Sequence, residues 1–509
     1  VADISHVMHP GQMSRLLGDW RSRSRGPAYD ALAQRVRILI REGLLSPDTR
    51  VPPERTLAEQ LGISRTTVTK AYDMLRAEGR LRSARGAGTV ITLPEQATDR
   101  PAAPSPGARN ERRRAAAAQP VVADFTSDLL PVPEARLEEA LGSIAGCVAR
   151  AFAAQDHEPY GLPELREIVA ARYTARGLPT SPSQILITQG IRHSWQLLLR
   201  HRARPAQRVL IESPAPPHVM DSILLHGARP WPVGLGRDGW YIELFSAALH
   251  QARPQLALIT PDFQHPTGHV MPTEERRLLV RTALRTGTLL VADESASELR
   301  LDEGGMPESL AALGPEGTVA LIDSPRAAIG DGVRVGWIRA SAATVHRLAA
   351  INSGMGTPGS VPDQVVTARL LTSADRLLTE RRKSLRQRRA VLASALRQHL
   401  PDWRYTTPPG GTTLWVDLGA SVSSHLATTA ERHGVRLLSG PRFGTGGTYD
   451  SRLRLPYTLG ERTLQNGVQR LADAFAETAG SAGTTASTTA APHPESFRPA
   501  EAKPCPLAI

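Results

Sequence analysis

Cysteine is nearly missing from this chain. Cys147 and Cys505 are the two in 509 residues, far apart, and the second lies in a polar segment. That spacing argues against a disulfide framework or a cysteine metal site, and a reducing cytoplasm fits. No apolar run approaches the ~20 residues that cross a bilayer. The N-terminal stretch lacks an apolar core of the kind a secretory signal needs, so no membrane partner is expected. Lysine is equally scarce: Lys70, Lys383 and Lys503 are the three among 61 basic residues, and the rest are arginine. GC-rich coding explains that bias. It still constrains function, because any Schiff-base enzyme needs a lysine in the right place. The sequence also holds no HExxH, G-x-S-x-G or P-loop pattern, which removes the corresponding hydrolase and nucleotide chemistries.

What is present is a soluble globular composition, 41% hydrophobic and 22% charged. At ~100–200 residues per domain the length predicts two to four domains. Residues 1–25 are polar and Arg-rich and read as a partly ordered extension. Residues 26–93 form a compact helical unit. Residues 94–122, Pro/Ala-rich with the basic run Arg112, Arg113, Arg114, read as a flexible linker. Residues 123–477 alternate apolar strands with amphipathic helices, and residues 478–509 read as a disordered Ala/Thr/Ser/Pro tail. Charge is uneven: residues 1–122 carry +8 of the net +12. Such asymmetry suggests a nucleic-acid-facing N-terminal part, although a solvated basic surface would look the same.

In the 26–93 unit, Tyr29, Leu32, Val36, Leu39 and Ile40 share one helical face. A second helix starts behind Pro53 and stops at Gly62, and Ser64 is placed to cap a third. The third helix repeats Val68, Ala71, Tyr72 and Leu75 at i, i+3, i+4, i+7, and Arg65, Thr66, Thr69, Lys70 and Arg76 fall on its other face. Two short helices around a glycine turn fit a helix-turn-helix, whose second helix enters the major groove. Arg65 could read guanine and Thr66 or Thr69 a phosphate or thymine methyl. Strand–turn–strand residues 80–91, with Arg85 at the glycine-rich tip, read as a wing. The whole segment VPPERTLAEQLGISRTTVTKAYDMLRAEGRLRSARGAGTVI resembles the GntR-type winged helix domain. The resemblance implies that Arg55, Ser64, Arg65, Thr66, Thr67, Lys70, Arg85 and Gly86 form the surface for a double-stranded DNA operator.

Further on, strands are expected at 208–212, 256–260, 288–292, 318–322 and 334–338, with helices such as 273–285 and 379–398 between them. This alternation predicts an α/β domain with a largely parallel sheet. Its motifs include Tyr160-Gly161-Leu162-Pro163, Thr188-Gln189-Gly190, Pro261-Asp262-Phe263-Gln264-His265-Pro266-Thr267-Gly268, Asp293-Glu294, Arg334-Val335-Gly336-Trp337 and Arg454-Leu455-Pro456-Tyr457. Together with the winged helix unit they resemble the MocR family, regulators whose second domain is a fold-type I aminotransferase-like domain built for pyridoxal phosphate (PLP). The resemblance implies roles for Asp293 at the pyridinium nitrogen, Arg334 at the phosphate and Arg454 at a substrate carboxylate. Gly190 and Ile191 open a helix whose backbone N–H groups suit an anion.

The departures are as informative. The family lysine should stand seven or eight residues before Arg334, where the chain has Ala327 and Arg326. A guanidinium stays protonated and is no nucleophile. Pro216 stands where the family has a ring-stacking tyrosine, His265 where it has an asparagine, and Ser295 where it has a second tyrosine. Three readings follow: an acidic effector held by Arg192, Arg326, Arg334 and Arg454; PLP held without a covalent bond; or a relic that serves dimerisation. The expected protein is a homodimeric, cytoplasmic, DNA-binding transcription regulator with no covalent cofactor and no catalytic residues. The rival is an active aminotransferase carrying a DNA-binding arm.

Overall fold

The computed structural model describes residues 6–21, 26–47, 49–84, 88–92, 120–153, 158–355 and 359–486. The wing tip with Arg85 and Gly86, most of the expected linker (93–119) and residues 487–509 lie outside the described residues.

The N-terminal domain has a small sheet of β1 (His6–Val7), β2 (Thr49–Arg50), β3 (Leu81–Ala84) and β4 (Gly88–Ile91) in the order β1-β2-β4-β3. Its helices are α1 (Pro10–Leu17), α2 (Ala28–Arg41), α3 (Glu54–Leu61) and α4 (Arg65–Ala77). Residues 6–21, expected to be a partly ordered extension, instead belong to this domain. Met13, Leu16 and Leu17 repeat at i, i+3, i+4 and are buried with Met8 and Trp20. Arg35 on α2 closes the end of α1 by donating to the Leu16 and Leu17 carbonyls at 2.9 and 3.1 Å. The arginine content of this segment masks a three-residue apolar stripe, and the stripe decides its packing. The turn between α3 and α4 needs a left-handed residue, and Gly62 supplies it with φ 62°. Tyr72 is buried, and its hydroxyl donates to the Pro52 carbonyl at 3.0 Å.

The large domain is built on eight strands: β6 (Ile185–Thr188), β7 (Arg208–Ser213), β8 (Arg229–Gly236), β9 (Gly239–Trp240), β10 (Leu256–Ile259), β11 (Leu289–Asp293), β12 (Val319–Asp323) and β13 (Gly336–Arg339). Their order is β6-β13-β12-β11-β10-β7-β8-β9, with β12, β11, β10, β7 and β8 mutually parallel and β13 antiparallel to both neighbours. The central strands are continuously apolar because helices cover both faces. Along β11, Leu290 and Ala292 join one core while Leu289 and Val291 join the other, as a two-residue period requires. All five expected strands and the helix expected at 273–285 are present within about two residues, and the helix expected at 379–398 starts five residues earlier, at Ala374. A C-terminal lobe adds the pair β14 (Thr413–Asp417) and β16 (Arg452–Pro456), and β15 (Val435–Arg436) beside β5 (Ala123–Asp124). The last helix, Glu461–Ala486, runs past residue 477, where the tail was expected to begin.

The winged helix domain sits directly on the large domain. Tyr449 N–H donates to the Arg41 carbonyl at 3.2 Å, and Gln251 Nε2 donates to the Val7 carbonyl at 3.2 Å. Gly234 in β8 lies so close that a Cβ there would meet the Gly43 carbonyl oxygen at 2.6 Å and Leu44 Cα at 2.8 Å.

Candidate functional site

On α4, Arg65 and Thr66 occupy the first helical turn and are exposed. Ser64 caps the helix: its hydroxyl accepts from Thr67 N–H at 3.2 Å and pairs with the Thr66 and Thr67 hydroxyls at 2.8 Å. Ser64 and Thr67 therefore hold the helix end. Arg55 on α3 is exposed and pairs with Glu59 one turn away at 3.0 Å, a bond worth only ~0.2–0.5 kcal/mol and easily exchanged for a phosphate. Lys70 stands 5.4 Å over the Tyr29 ring. Thr69 and Arg76 are committed elsewhere: both bond Glu54, at 2.8 and 3.0 Å, and set the α3–α4 angle. Of the residues assigned to the outer face, Arg65, Thr66 and Lys70 remain exposed.

The second site lies at the carboxyl ends of the parallel strands, where α/β sheets carry their ligands. Its centre is Asp128, which sequence reasoning missed. Arg326 donates to the Asp128 carboxylate at 2.7 Å and to its backbone carbonyl at 2.5 Å. Arg454 reaches the same carboxylate at 3.4 Å, His265 at 3.5 Å, and the Thr412 hydroxyl donates to it at 3.0 Å. Burial pushes the Asp128 carboxyl up, but Arg326, His265 and Arg454 outweigh it and hold it well below the usual carboxylate range. Burial likewise acts to lower Arg326, and the nearby Asp128 and Asp331 outweigh it and raise the guanidinium. Arg454 goes the other way: burial dominates and lowers it, against Asp128.

The backbone around Asp128 is clamped as well. Arg454 donates to the Phe125 and Thr126 carbonyls at 3.2 and 2.5 Å. Asp331 accepts from Leu130 N–H at 2.7 Å and returns its own N–H to the Leu130 carbonyl at 2.8 Å. Gly330, at φ 125°, lets that carbonyl approach: a Cβ there would stand 2.6 Å from it. Nothing in the Phe125-Thr126-Ser127-Asp128 string marks this role, since its partners come from loops far along the chain.

The other expected residues divide into two groups. Asp293 ends β11, and burial raises its carboxyl while Ser295 opposes by donating N–H at 3.0 Å and its hydroxyl at 2.7 Å. Gly190 precedes the helix Ile191–Arg202 at φ 98°. Gly336, two residues beyond Arg334, packs on that helix start, because a Cβ there would meet Gly190 Cα at 2.7 Å. Arg192 and Arg334 are exposed, with no acidic partner among the described residues, whereas Arg454 is 2% exposed. Pro216 precedes the helix Pro217–Leu225 and is half-buried. His218, also missed, faces Arg192, His265 and Asp128, and burial followed by Arg192 pushes it down to about 3.

PLP is the group this fold implies, and the residues fit it only in part. Asp293 and the Gly190–Ile191 turn suit the ring nitrogen and phosphate. A Schiff base has no amine: among the described residues Lys70 lies in the N-terminal domain and Lys383 is exposed on the helix Ala374–His399. The remaining cations at the pocket's centre, Arg326 and Arg454, are bonded to Asp128. A covalently held PLP does not fit this donor set.

A winged helix domain docked on a sheet of this order defines a DNA-binding regulator with an aminotransferase fold. Residues 28–91 match the bacterial regulatory proteins of the gntR family, and residues 152–471 match aminotransferase class I and II. The chain belongs to the MocR-type GntR regulators, which join these two families in one polypeptide. It is 32% identical over 379 residues to the HTH-type pyridoxine biosynthesis transcriptional regulator PdxR of Corynebacterium glutamicum, covering 72% of this chain and 78% of that one. It is 28% identical over 394 residues to the "Probable rhizopine catabolism regulatory protein MocR" of Rhizobium meliloti, covering 74% and 78%. Among solved structures, LysN, the alpha-aminoadipate aminotransferase of Thermus thermophilus, superposes with a TM-score of 0.65 at 25% identity, covering 70% of this chain and 92% of LysN.

Proposed function

We propose that this protein is a homodimeric transcription regulator that binds operator DNA through α4 and the wing, and that its large domain performs no transamination. The observation that carries this reading is the pairing of Arg326 with Asp128 at 2.7 Å in a pocket with no lysine among the described residues. A guanidinium cannot attack a carbonyl, and one already neutralised by a carboxylate has no reason to lose its proton. On this reading the pocket senses a small molecule instead. A contiguous aromatic path supports a link from pocket to DNA domain. His265 packs on Phe443 at 6.0 Å, Phe443 on Trp415 at 5.4 Å and Trp415 on Tyr449 at 5.9 Å. Tyr449 in turn bonds α2 through the Arg41 carbonyl. Such a path couples the sites only if it has two arrangements that ligand and DNA each bias.

One specific observation favours the second reading, in which PLP binds without a covalent bond: Asp293, the carboxylate that would face a pyridinium nitrogen, ends β11 and is held by Ser295. Calorimetric titration with PLP, followed by borohydride reduction and intact-mass analysis, separates the cases. Binding without a mass increment supports the second reading, and no binding supports a different ligand. A stoichiometric adduct, or transamination faster than free PLP provides, would overturn the proposal.

A further inference from the structure

We propose that Asp128 is a resident carboxylate: it occupies the position at Arg326 and Arg454 that a free acid would need, so the pocket excludes small carboxylates unless the 125–131 strap moves. The inference rests on the reading of the pocket as non-catalytic and names what that pocket rejects. The groups facing the Asp128 carboxylate are Arg326, Arg454, His265 and the Thr412 hydroxyl, with Asp331 behind Arg326. Two cations and an imidazole converging on one carboxylate form the kind of receptor that proteins build for anionic ligands. Here the chain supplies the anion itself.

The strap is built into place and does not merely rest there. Arg454 bonds two of its carbonyls, Arg326 a third, and Asp331 both exchanges with Leu130. The same two arginines thus hold backbone and carboxylate together, and an incoming acid must compete with both. A further sign of substitution is that Arg454 Nε and His265 Nδ1 remain buried without a hydrogen-bond partner. Asp128 fills the anion position without satisfying every polar atom around it. By contrast Arg192 and Arg334 stay exposed, with no acidic partner among the described residues, so these arginines, and not Arg454, are free to meet an anionic ligand.

Chemical rescue tests this. Asp128→Ala leaves the buried Arg454 without its ion-pair partner and Arg326 with Asp331 alone, and its melting midpoint should fall by about 5–10 °C. Sodium acetate should then raise the midpoint of the variant by about 3 °C once it reaches roughly ten times its dissociation constant. The reference is sodium chloride at equal ionic strength, and acetate should leave the wild type unmoved. Arg454→Met in the Asp128→Ala background should abolish the rescue. Acetate acting equally on both proteins, or on neither while Asp128→Ala remains folded, overturns the proposal. If Asp128→Ala does not fold, Asp128→Asn keeps the volume and removes the charge. Its stability deficit should narrow as pH drops below about 4, where the unfolded chain's carboxyl takes up a proton while the folded one, held well lower, is still charged, and a deficit constant with pH would refute the charge role. These outcomes are independent of the borohydride test: an adduct would sink the non-catalytic reading whatever acetate does, and failed rescue would leave that reading standing.

Discussion

Replacing Gly234 with alanine should pry the DNA-binding domain from the large domain. Gly234 is buried in β8, and its backbone is ordinary extended strand, so alanine adds no conformational strain of its own. The added methyl would stand 2.6 Å from the Gly43 carbonyl oxygen and 2.8 Å from Leu44 Cα. Both are backbone atoms, and no side chain can rotate away. Ordinary contact is about 3.5 Å, so the domains must separate locally by roughly 0.7 Å or more. Overpacking of this kind costs about 1–3 kcal/mol, which shifts the docked–undocked equilibrium by about 5- to 150-fold. The assays are small-angle scattering, for a larger radius of gyration, and tryptic cleavage at Arg112–Arg114, for a faster rate. Gly305→Ala is the control, because a Cβ there meets nothing within 4 Å. If Gly234→Ala matched that control in both assays, the docked arrangement would be wrong.

The remaining predictions concern single contacts. Arg65→Ala should lower specific DNA affinity by about 5- to 150-fold with the circular dichroism spectrum unchanged, since Arg65 is exposed; undiminished binding in gel-shift titrations would exclude it from the recognition surface. Ser64→Ala removes the α4 cap and should destabilise the domain by about 1 kcal/mol in urea titrations, whereas a loss of affinity at full stability would make Ser64 a DNA contact. Arg276 is fully buried, bonding Asp262 at 2.5 Å and the Met271 and Glu308 carbonyls at 2.8 and 2.9 Å; Arg276→Met should cost about 3–5 kcal/mol by stranding Asp262, with part recovered in Arg276→Met/Asp262→Asn. Glu212 is pushed by burial to about 8, against hydrogen bonds from Trp240, Gln264 and Thr260. Its folded value lies above its unfolded one, so its contribution is present in full near pH 4 and declines as pH rises through about 8. Wild-type stability should fall across that window, and the slope should flatten in Glu212→Gln; an unchanged slope would show that Glu212 folds ionised.

Local patterns made much of this protein legible before its structure. The 3.6-residue repeat of α4, the glycine stop of α3 and the Ser64 cap depend on neighbours within a few positions, and each forms where the spacing placed it. The buried strands read as continuous apolar runs because both faces of the sheet are covered. The arginine-rich start of the chain misled, because composition hid the stripe of Met13, Leu16 and Leu17. In the pocket, His265, Arg326 and Arg454 were identified and do converge, while Arg192 and Arg334 stay at the exposed edge.

The sequence by itself determined the two domain types, the order of strands and helices, and the absence of lysine between Lys70 and Lys383. These follow from propensity, periodicity and composition, which act within a few residues. Tertiary structure alone decided that Asp128 neutralises Arg326, 198 positions away, that Arg454 bonds the same strap, and that α2 rests on Tyr449. A Coulombic pair depends on distance and burial in space, and neither is encoded at either residue. Whether an arginine receives a ligand or is already satisfied by its own chain is therefore visible only once the loops are in place.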